Sequence, residues 1–248
     1  MTIRGWNSKY SQIVKEFGYS KEADLVSAAL LNLILKKQLP SQKLRRLISG
    51  KPVFVIGAGP SLKAAIPVLK RHKNTIKICA ETALDALVKN GIRPHIVVTD
   101  LDGNLGTLGK IGKTDTIFVV HAHGDNIPRL GFAKNFKNCV GSTQTRKVGK
   151  IENFGGFTDG DRCVFLANRF GASRIFLLGM DFGPKIGAYS NTKRSERSIK
   201  LKKLRWGKML LEWMAPMADA QLFTLSKQIE GFKKITWDEL ERLCRSPE

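Results

Sequence analysis

The stretch Val53-Phe-Val-Ile-Gly-Ala-Gly-Pro-Ser61 joins an apolar run to a glycine turn and to the start of a helical pattern. Residues 53–56 carry no polar side chain, as expected of a strand that is covered on both faces. Apolar residues then follow at helical spacing over residues 62–71. This part of the chain is therefore predicted to form a strand, a tight turn and a helix in direct succession.

The same alternation recurs along the chain. Nearly continuous apolar runs lie at residues 76–79, 95–99, 116–120 and 174–178, and helical patterns lie at 82–90 and 161–170. The run at 222–225 predicts a late strand at the edge of the sheet. Strands that alternate with helices favour parallel pairing through right-handed crossovers. We therefore predict an α/β fold with a Rossmann-like, mostly parallel sheet and helices on both faces.

The first fifty residues have a helical pattern throughout. Ser20 can cap a helix that Pro40 ends, and residues 41–49 form a second short, basic helix. These patterns predict a helical N-terminal segment over residues 1–50 and an α/β catalytic domain over residues 51–248.

Composition restricts the class of protein. The 248 residues include 42 Lys and Arg against 21 Asp and Glu, and the net charge of +21 indicates an anionic partner such as nucleic acid, a phosphate ester or a membrane surface. A hydrophobic content of 42% excludes a disordered chain. No apolar run approaches the ~20 residues of a membrane span, and the N-terminus lacks a secretory pattern, so we expect a cytoplasmic protein without a membrane partner. Cys79, Cys139, Cys163 and Cys244 form no C-x-x-C pair, which argues against a disulfide framework or a zinc ribbon.

The glycine turn at residues 57–61 has the features of a phosphate-binding loop. Gly57 and Gly59 allow close backbone approach, while Pro60 and Ser61 suit the start of a helix whose free N–H groups attract phosphate. No P-loop lysine follows, and Lys63 stands where a dinucleotide-binding loop has its third glycine. A turn that merely connects strand to helix is an equal alternative.

Two carboxylates follow the most β-branched run, in Thr99-Asp-Leu-Asp-Gly103. Ligands bind outside the carboxyl ends of parallel strands, where Asp100 and Asp102 can share one hard cation. We favour a metal site here over an Asp/Gly turn with solvated carboxylates.

His121-Ala-His-Gly-Asp-Asn126 also follows an apolar run. The spacing places His121 and His123 on one side, where Asp125 can join them. A zinc or transition-metal site and a magnesium site with phosphate-binding histidines both remain open.

Two further acidic segments come after glycines. Asp159 is placed to cap the helix that follows Gly155-Gly-Phe-Thr158, and Asp181 follows the 174–178 run. Acids that recur at the ends of successive elements form the layout of a Mg²⁺–nucleotide site. Residues 185–208 hold much of the excess positive charge, which indicates a solvated helix face after a surface loop, with a phosphate-facing lid as the alternative.

Five blocks together resemble one known family. They are Gly57-Ala-Gly-Pro-Ser-Leu62, Thr99-Asp-Leu-Asp-Gly103, His121-Ala-His-Gly-Asp-Asn126, Asn153-Phe-Gly-Gly-Phe-Thr-Asp-Gly-Asp161 and Gly179-Met-Asp-Phe-Gly183. In this order they are similar to the archaeal 6-hydroxymethyl-7,8-dihydropterin pyrophosphokinases. The resemblance covers residues 52–215. It implies Mg²⁺-dependent transfer of diphosphate from ATP to the pterin hydroxymethyl group, with release of AMP, in folate or tetrahydromethanopterin synthesis.

One block departs from the family. Ala80-Glu-Thr-Ala83 stands where the family typically has Ala-Asp-Gly-Ala, so Glu81 keeps a carboxylate while Thr82 removes a glycine. Glu81 is carried over as a candidate for substrate binding.

The resemblance and the chemistry of the residues together suggest roles for the site. The partners are ATP and a reduced pterin, and a homo-oligomer is left open. Mg²⁺ would be held by Asp100 and Asp102. The residues expected to bind ATP are Gly57, Gly59, Pro60, Ser61, Asp181 and Lys185. The residues expected to act in catalysis are His121, His123, Asp125 and Arg162. The residues expected to contact the pterin are Glu81, Asn126, Phe157, Asp159 and Phe182.

Two other functions compete with this interpretation. Asp100-Leu-Asp102 is also a D-x-D pair of the kind that holds a metal in glycosyltransferases. The net charge suggests a nucleic-acid-binding module. Against the latter, Trp206 is the one aromatic residue within the basic run 193–208, and clustered aspartates repel a phosphate backbone.

Overall fold

The computed structural model describes residues 3–187, 189–190 and 194–245. Its centre is one eight-stranded sheet of order β5-β4-β3-β2-β1-β6-β7-β8, in which every described pairing is parallel. The strands are β1 (Pro52–Ile56), β2 (Ile76–Ala80), β3 (Ile96–Thr99), β4 (Ile117–Ala122), β5 (Cys139–Thr143), β6 (Arg174–Leu178), β7 (Gln221–Thr224) and β8 (Lys233–Lys234). The predicted α/β fold with a parallel sheet is confirmed.

Helices cover both faces of this sheet. They are α1 (Trp6–Phe17), α2 (Lys21–Ile34), α3 (Ser41–Ile48), α4 (Leu62–Arg71), α5 (Glu81–Lys89), α6 (Leu105–Gly112), α7 (Asp159–Arg169), α8 (Arg197–Met214) and α9 (Trp237–Arg245), and 3-10 turns run over Gly124–Asn135. Successive strand residues point to opposite faces, so Val53 and Val55 lie in one core cluster while Phe54 and Ile56 lie in the other. No helix among the described residues combines the length and apolar character that a bilayer-spanning segment needs.

The N-terminal helices reach both sides of the sheet. Trp6 and Tyr10 of α1 lie in one core cluster, and Ala28 and Leu31 of α2 lie in the other. The Ser20 hydroxyl accepts a hydrogen bond from the Ala23 N–H at 3.1 Å, which confirms the predicted cap. The helical character of the segment is confirmed, while its boundary as a separate unit at residue 50 stays a prediction.

Two strands differ from the prediction. The 222–225 run was expected at the sheet edge, but β7 lies between β6 and β8, because two further residues pair outside it. Strand β4 extends to Ala122, so His121 belongs to the strand rather than to the loop after it.

The order of strands fixes where a ligand can bind. From β1 the chain moves outward through β2 to β5 and then returns to the other side of β1 at β6. A crevice opens at such a reversal, outside the carboxyl ends of the strands. All four cysteines are free, and Cys79, Cys139 and Cys163 are buried.

Candidate active site

A cavity opens at the carboxyl ends of β1, β3 and β6. Its walls are the loops after these strands, the start of α7 and one side of α8, and they surround about 990 Å³ of space that opens to solvent. Most of the predicted site residues lie on these walls. They are Gly57, Gly59, Pro60, Asp100, Asp102, Phe157, Asp159, Arg162, Asp181, Phe182 and Lys185.

Three carboxylates meet at this edge of the sheet. Asp100 and Asp102 follow β3, and Glu81 begins α5 directly after the neighbouring strand β2. One oxygen from each lies within 4.8 Å of the other two. Glu81 Oε1 accepts a hydrogen bond from the Gly103 N–H at 2.6 Å, and Oε2 accepts one from the Thr99 hydroxyl. The sequence placed Glu81 among substrate-binding residues, whereas the structure places it beside the predicted metal pair.

The electrostatics of this cluster favour a bound cation. Burial raises the pKa of Glu81 to about 7, and burial together with the charge of Asp100 raises the pKa of Asp102 to about 6. Burial alone would also raise the pKa of Asp100, but the hydrogen bond and charge of His123 outweigh it and hold that pKa below its usual range. His123 Nε2 lies 3.4 Å from Asp100 Oδ2.

The donor set fits a hard divalent cation such as Mg²⁺. Asp100 Oδ1 is enclosed and has no hydrogen-bond partner among the described residues. Within that part of the chain, the group of three close ligands consists of carboxylates, the donors that Mg²⁺ prefers. This arrangement favours the magnesium alternative over a histidine-based zinc site.

The two histidines lie on one side, as their spacing predicts. Their rings are 6.1 Å apart and inclined by 29°. His121 is buried, its Nδ1 lies 3.2 Å from the Ser142 hydroxyl, and burial holds its pKa well below the usual value. His121 is therefore a neutral ring enclosed by the protein. Asp125 is exposed, and its Oδ2 lies 3.9 Å from His123 Nδ1.

Asn126 joins the loops around the histidines. Its amide group donates to the carbonyl oxygens of Asp100 at 2.8 Å and His121 at 2.7 Å. Its Oδ1 accepts from the His123 N–H at 3.1 Å and from the Ser27 hydroxyl at 3.4 Å. Protein groups thus occupy both amide hydrogens and the amide oxygen, so contact with a substrate stays a prediction for this residue.

The glycine loop after β1 is tied to the loop after β6. The Gly59 N–H donates to the Gly179 carbonyl at 2.7 Å, and the Ser61 N–H donates to Asp181 Oδ2 at 2.9 Å. A Cβ at Gly57 or Gly59 would crowd the Gly179 carbonyl, so these positions need glycine. The Ser61 N–H, predicted to bind phosphate, is engaged by a carboxylate of the protein itself.

The start of α7 differs from the prediction in one respect. Asp159 was expected to cap this helix, but Thr158 is the cap residue and Asp161 accepts from the N–H groups of Phe157 at 2.7 Å and Thr158 at 2.8 Å. Asp159 lines the cavity instead, and its Oδ1 pairs with Arg162 Nη1 at 3.3 Å. Burial and the charge of Asp100 raise the pKa of Asp159 well above its usual value.

A second cavity, which sequence reasoning missed, adjoins the first. It lies between α5, the loop after β3 and α8, and surrounds about 1930 Å³ of space that opens to solvent. Glu81 lines this second cavity, Asp100 lines the first, and Asp102 lines both. The sequence signal that could have revealed this cavity is the basic run, because its lysines Lys200 and Lys203 lie on α8 and line both cavities.

The chain is similar to a set of archaeal enzymes. Residues 30–187 match the family described as 6-hydroxymethylpterin diphosphokinase MptE-like. The proteins named 6-hydroxymethyl-7,8-dihydropterin pyrophosphokinase from Methanocaldococcus jannaschii and Pyrococcus furiosus are 41% and 40% identical, covering 86% and 89% of this chain and 96% and 97% of their own. The protein of the same name from Methanothermobacter thermautotrophicus is 34% identical and covers 90% of this chain and 99% of its own.

A solved structure shares the fold. The Maf glycosyltransferase from Magnetospirillum magneticum AMB-1 superimposes with a TM-score of 0.52 at 18% identity, over 83% of this chain and 38% of that one. At this identity the likeness concerns architecture alone. The family match and the extent of the archaeal similarity carry the assignment: the chain belongs to the MptE-like 6-hydroxymethylpterin diphosphokinase family.

Proposed function

We propose that this protein transfers diphosphate from ATP to the hydroxymethyl group of 6-hydroxymethyl-7,8-dihydropterin and releases AMP, as a step in the synthesis of folate-type pterin coenzymes in the cytoplasm. Three relatives that carry this activity in their names match the chain over nearly its whole length. The observation that supports the chemistry is the cluster of Glu81, Asp100 and Asp102 at the edge of the cavity. It offers a cation site where phosphate charge must be neutralised.

Glu81, Asp100 and Asp102 would hold Mg²⁺. When bound, such an ion neutralises phosphate charge and orients the group that is transferred. His123 supports this site, since its contact with Asp100 keeps that carboxylate ionised and ready to coordinate.

The remaining walls suggest how the substrates are held. Gly57, Gly59 and Pro60 give the nucleotide close access to the backbone, and Lys185 and Arg162 supply positive charge. The apolar and acidic groups that suit a flat heterocycle with an amide-like edge line the same cavity. They are Phe157, Phe182 and Asp159.

The reaction needs one proton acceptor. The substrate hydroxyl attacks the β-phosphorus of ATP. The bond from that phosphorus to the oxygen that joins it to the α-phosphate breaks, and AMP leaves with the electron pair. Of the two histidines predicted to take the hydroxyl proton, His121 is enclosed. We therefore assign the proton to the neutral form of His123, whose Nε2 lies 3.4 Å from Asp100 Oδ2.

The activity is tested by incubating the protein with ATP and the reduced pterin, with and without Mg²⁺, and separating products by chromatography. We expect AMP and pterin diphosphate in equal amounts, and none without the metal. Formation of ADP, or no AMP at all, would contradict the proposal. Parallel incubation with nucleotide sugars tests the glycosyltransferase alternative, and a salt titration against DNA tests the nucleic-acid alternative.

The metal ligands are tested by Asp100→Ala. We expect a loss of at least about 100-fold in turnover while the protein still unfolds in one cooperative transition, because the side chain faces a cavity and its removal costs transition-state charge stabilisation. Asp115→Ala is the control, since Asp115 is exposed and pairs with Lys137. Near-normal turnover of Asp100→Ala in Mg²⁺ would refute the assignment.

A further inference from the structure

The two cavities share one wall, and Asp102 of the carboxylate cluster lies on it. Five residues line both cavities. They are Thr82, Asp102, Ser190, Lys200 and Lys203. Both substrates are proposed to bind in the first cavity, so the diphosphate moves between them along its lining. The shared wall is the part of that lining that carries Asp102, and two of its five residues are lysines of the basic run.

Helix α8 sets where these two lysines leave the backbone. Its second half is anchored by the buried side chains of Trp206, Leu210 and Leu211. Gly207 lets the helix pass close over the start of α7, because a Cβ there would lie 3.3 Å from Asp161 Oδ1 and from the Phe182 ring. Residues three apart lie on one side of a helix, so Lys200 and Lys203 face the wall together.

The two lysines differ from other lysines of the same helix. Lys202 Nζ pairs with Glu16 at 2.9 Å, and Lys208 Nζ pairs with Glu212 at 3.4 Å. Within the described ranges, no carboxylate lies at ion-pair distance from Lys200 or Lys203. Lys203 Nζ lies 6.0 Å above the ring of Tyr19, and the charge of Lys200 lowers the pKa of Asp102 against the effect of burial.

We propose that Lys200 and Lys203 bind the diphosphate while it moves from ATP to the pterin. This rests on the proposed function and adds two residues to its site. The transferred group keeps its negative charge while the bond to the pterin oxygen forms and the bond to AMP breaks. Two ammonium groups on one side of α8, beside Asp102, stabilise that charge in a partly enclosed site. Of the two interpretations of the basic run, a solvated face or a surface that faces phosphate, the proposal applies the second to Lys200 and Lys203.

The experiment compares Lys200→Ala and Lys203→Ala with Lys202→Ala and Lys208→Ala. For the first two we expect kcat to fall at least tenfold, with a partial return of activity in Lys200→Arg. The control variants, whose lysines pair with Glu16 and Glu212 away from the shared wall, are expected to stay within twofold of the unmodified protein. Melting temperatures verify that all variants are folded.

A binding measurement separates this proposal from the proposed function. Calorimetric titration with magnesium pyrophosphate measures capture of the diphosphate even if the protein does not act on a pterin. We expect the dissociation constant to rise at least tenfold in Lys200→Ala and Lys203→Ala and to stay unchanged in the controls. Variants that keep both kcat and pyrophosphate affinity within twofold of the unmodified protein would overturn the proposal, as would equal losses in the controls.

Discussion

At the scale of single residues, the active site brings three carboxylates together, those of Glu81, Asp100 and Asp102. The negative charge of one carboxylate disfavours ionisation of its neighbours. Burial leaves little water to screen that repulsion, which is why the pKa values of Glu81 and Asp102 rise to about 7 and about 6. At Asp100 the hydrogen bond and charge of His123 outweigh this effect, whereas the charge of Lys200 offsets it only in part at Asp102. Repulsion among these carboxylates therefore lowers the free energy of unfolding until a cation binds.

This arrangement predicts how stability depends on pH. Between about pH 4 and about pH 7, folded Glu81 and Asp102 retain protons that the unfolded chain has already released, so the free energy of unfolding falls as pH rises through this range. In EDTA, the part of the melting temperature that depends on Glu81 should decrease from pH 5.5 to pH 8, measured as the difference between the unmodified protein and Glu81→Gln, because His95 and His121, whose pKa values are lowered by burial, act in the opposite direction in both proteins. Mg²⁺ should raise the melting temperature more at pH 8 than at pH 5.5, since protons compete with the metal.

Glu81→Gln is the matched variant for this prediction. Removing the titrating group should flatten part of the pH profile in EDTA and weaken the response to Mg²⁺. An equal effect of Mg²⁺ on the melting temperature at both pH values would contradict the proposed coupling, whatever the absolute stability.

Asp100 and Asp102 were predictable because both follow one strand in the chain. Glu81 as their neighbour was not, since its place depends on β2 pairing with β3, which local patterns do not specify. Asp159 illustrates the same limit: its position at a helix start was evident, while its pairing with Arg162 required the folded loop.

At the scale of elements, the loop after β1 and the segment that follows β6 form one interlocked wall. Gly59 and Ser61 donate to the later segment, and Gly187 packs against the Ala58 carbonyl so closely that a Cβ would overlap it. Lys185 reaches the cavity from this segment. The geometry of the nucleotide wall thus depends on contacts between backbones.

Gly187→Ala should therefore displace the segment that carries Lys185. We expect the KM for ATP to rise about tenfold with a small change in melting temperature. Gly183→Ala is the control in the same segment, because a Cβ there meets mainly the mobile end of the Lys227 side chain, at 3.3 Å. Steady-state kinetics decide between them, and equal KM values in the two variants would disprove the role of the Gly187 contact.

Periodic elements were predictable and irregular ones were not. Helix α4 and strand β6 match their predicted limits because their apolar residues follow one period. Helix α6 was missed, since Leu-Gly-Thr-Leu-Gly-Lys-Ile-Gly112 has three glycines that disfavour a helix. Tertiary packing explains the difference: a Cβ at Gly112 would overlap the Phe136 ring. Strand β5 was missed because Gly141, Ser142 and Thr143 make it small and polar.

At the scale of the whole molecule, one buried carboxylate joins the N-terminal helices to the active-site face. Asp24 Oδ2 accepts from the Tyr10 hydroxyl and from Gln144 Nε2, each at 2.7 Å, and Oδ1 accepts from the Gly124 N–H at 2.8 Å. Gln144 Oε1 in turn accepts from Arg162 at 3.4 Å. Helices α1 and α2 are thus connected by hydrogen bonds to the loop after β4 and to α7.

Asp24→Ala should lower both stability and turnover. It leaves two buried donors and one partly buried donor without an acceptor, and we expect a loss of about 3 kcal/mol in the free energy of unfolding, measured by urea denaturation. Turnover should fall as well, because Gln144 no longer holds Arg162. Glu22→Ala, on the exposed side of the same helix, should change stability by less than about 0.5 kcal/mol. A change of similar size in both variants would contradict the role given to this network.

The net charge of +21 indicated an anionic partner but not which one. The choice among anions depends on where a few lysine side chains lie relative to the carboxylates. Their position follows from the way α8 crosses the start of α7. The fold class was readable from alternating patterns, whereas the two cavities and their shared wall exist only once distant segments have met.

The three buried cysteines can report local opening of the structure through their reaction with an alkylating reagent. Cys139 lies in the edge strand β5, Cys79 in the interior strand β2 and Cys163 in α7. Burial raises the pKa of each thiol, so an alkylating reagent modifies it only when the surrounding structure opens. Timed labelling followed by mass spectrometry therefore measures local opening separately at the edge strand β5, at the interior strand β2 and at helix α7. The experiment needs no introduced probe.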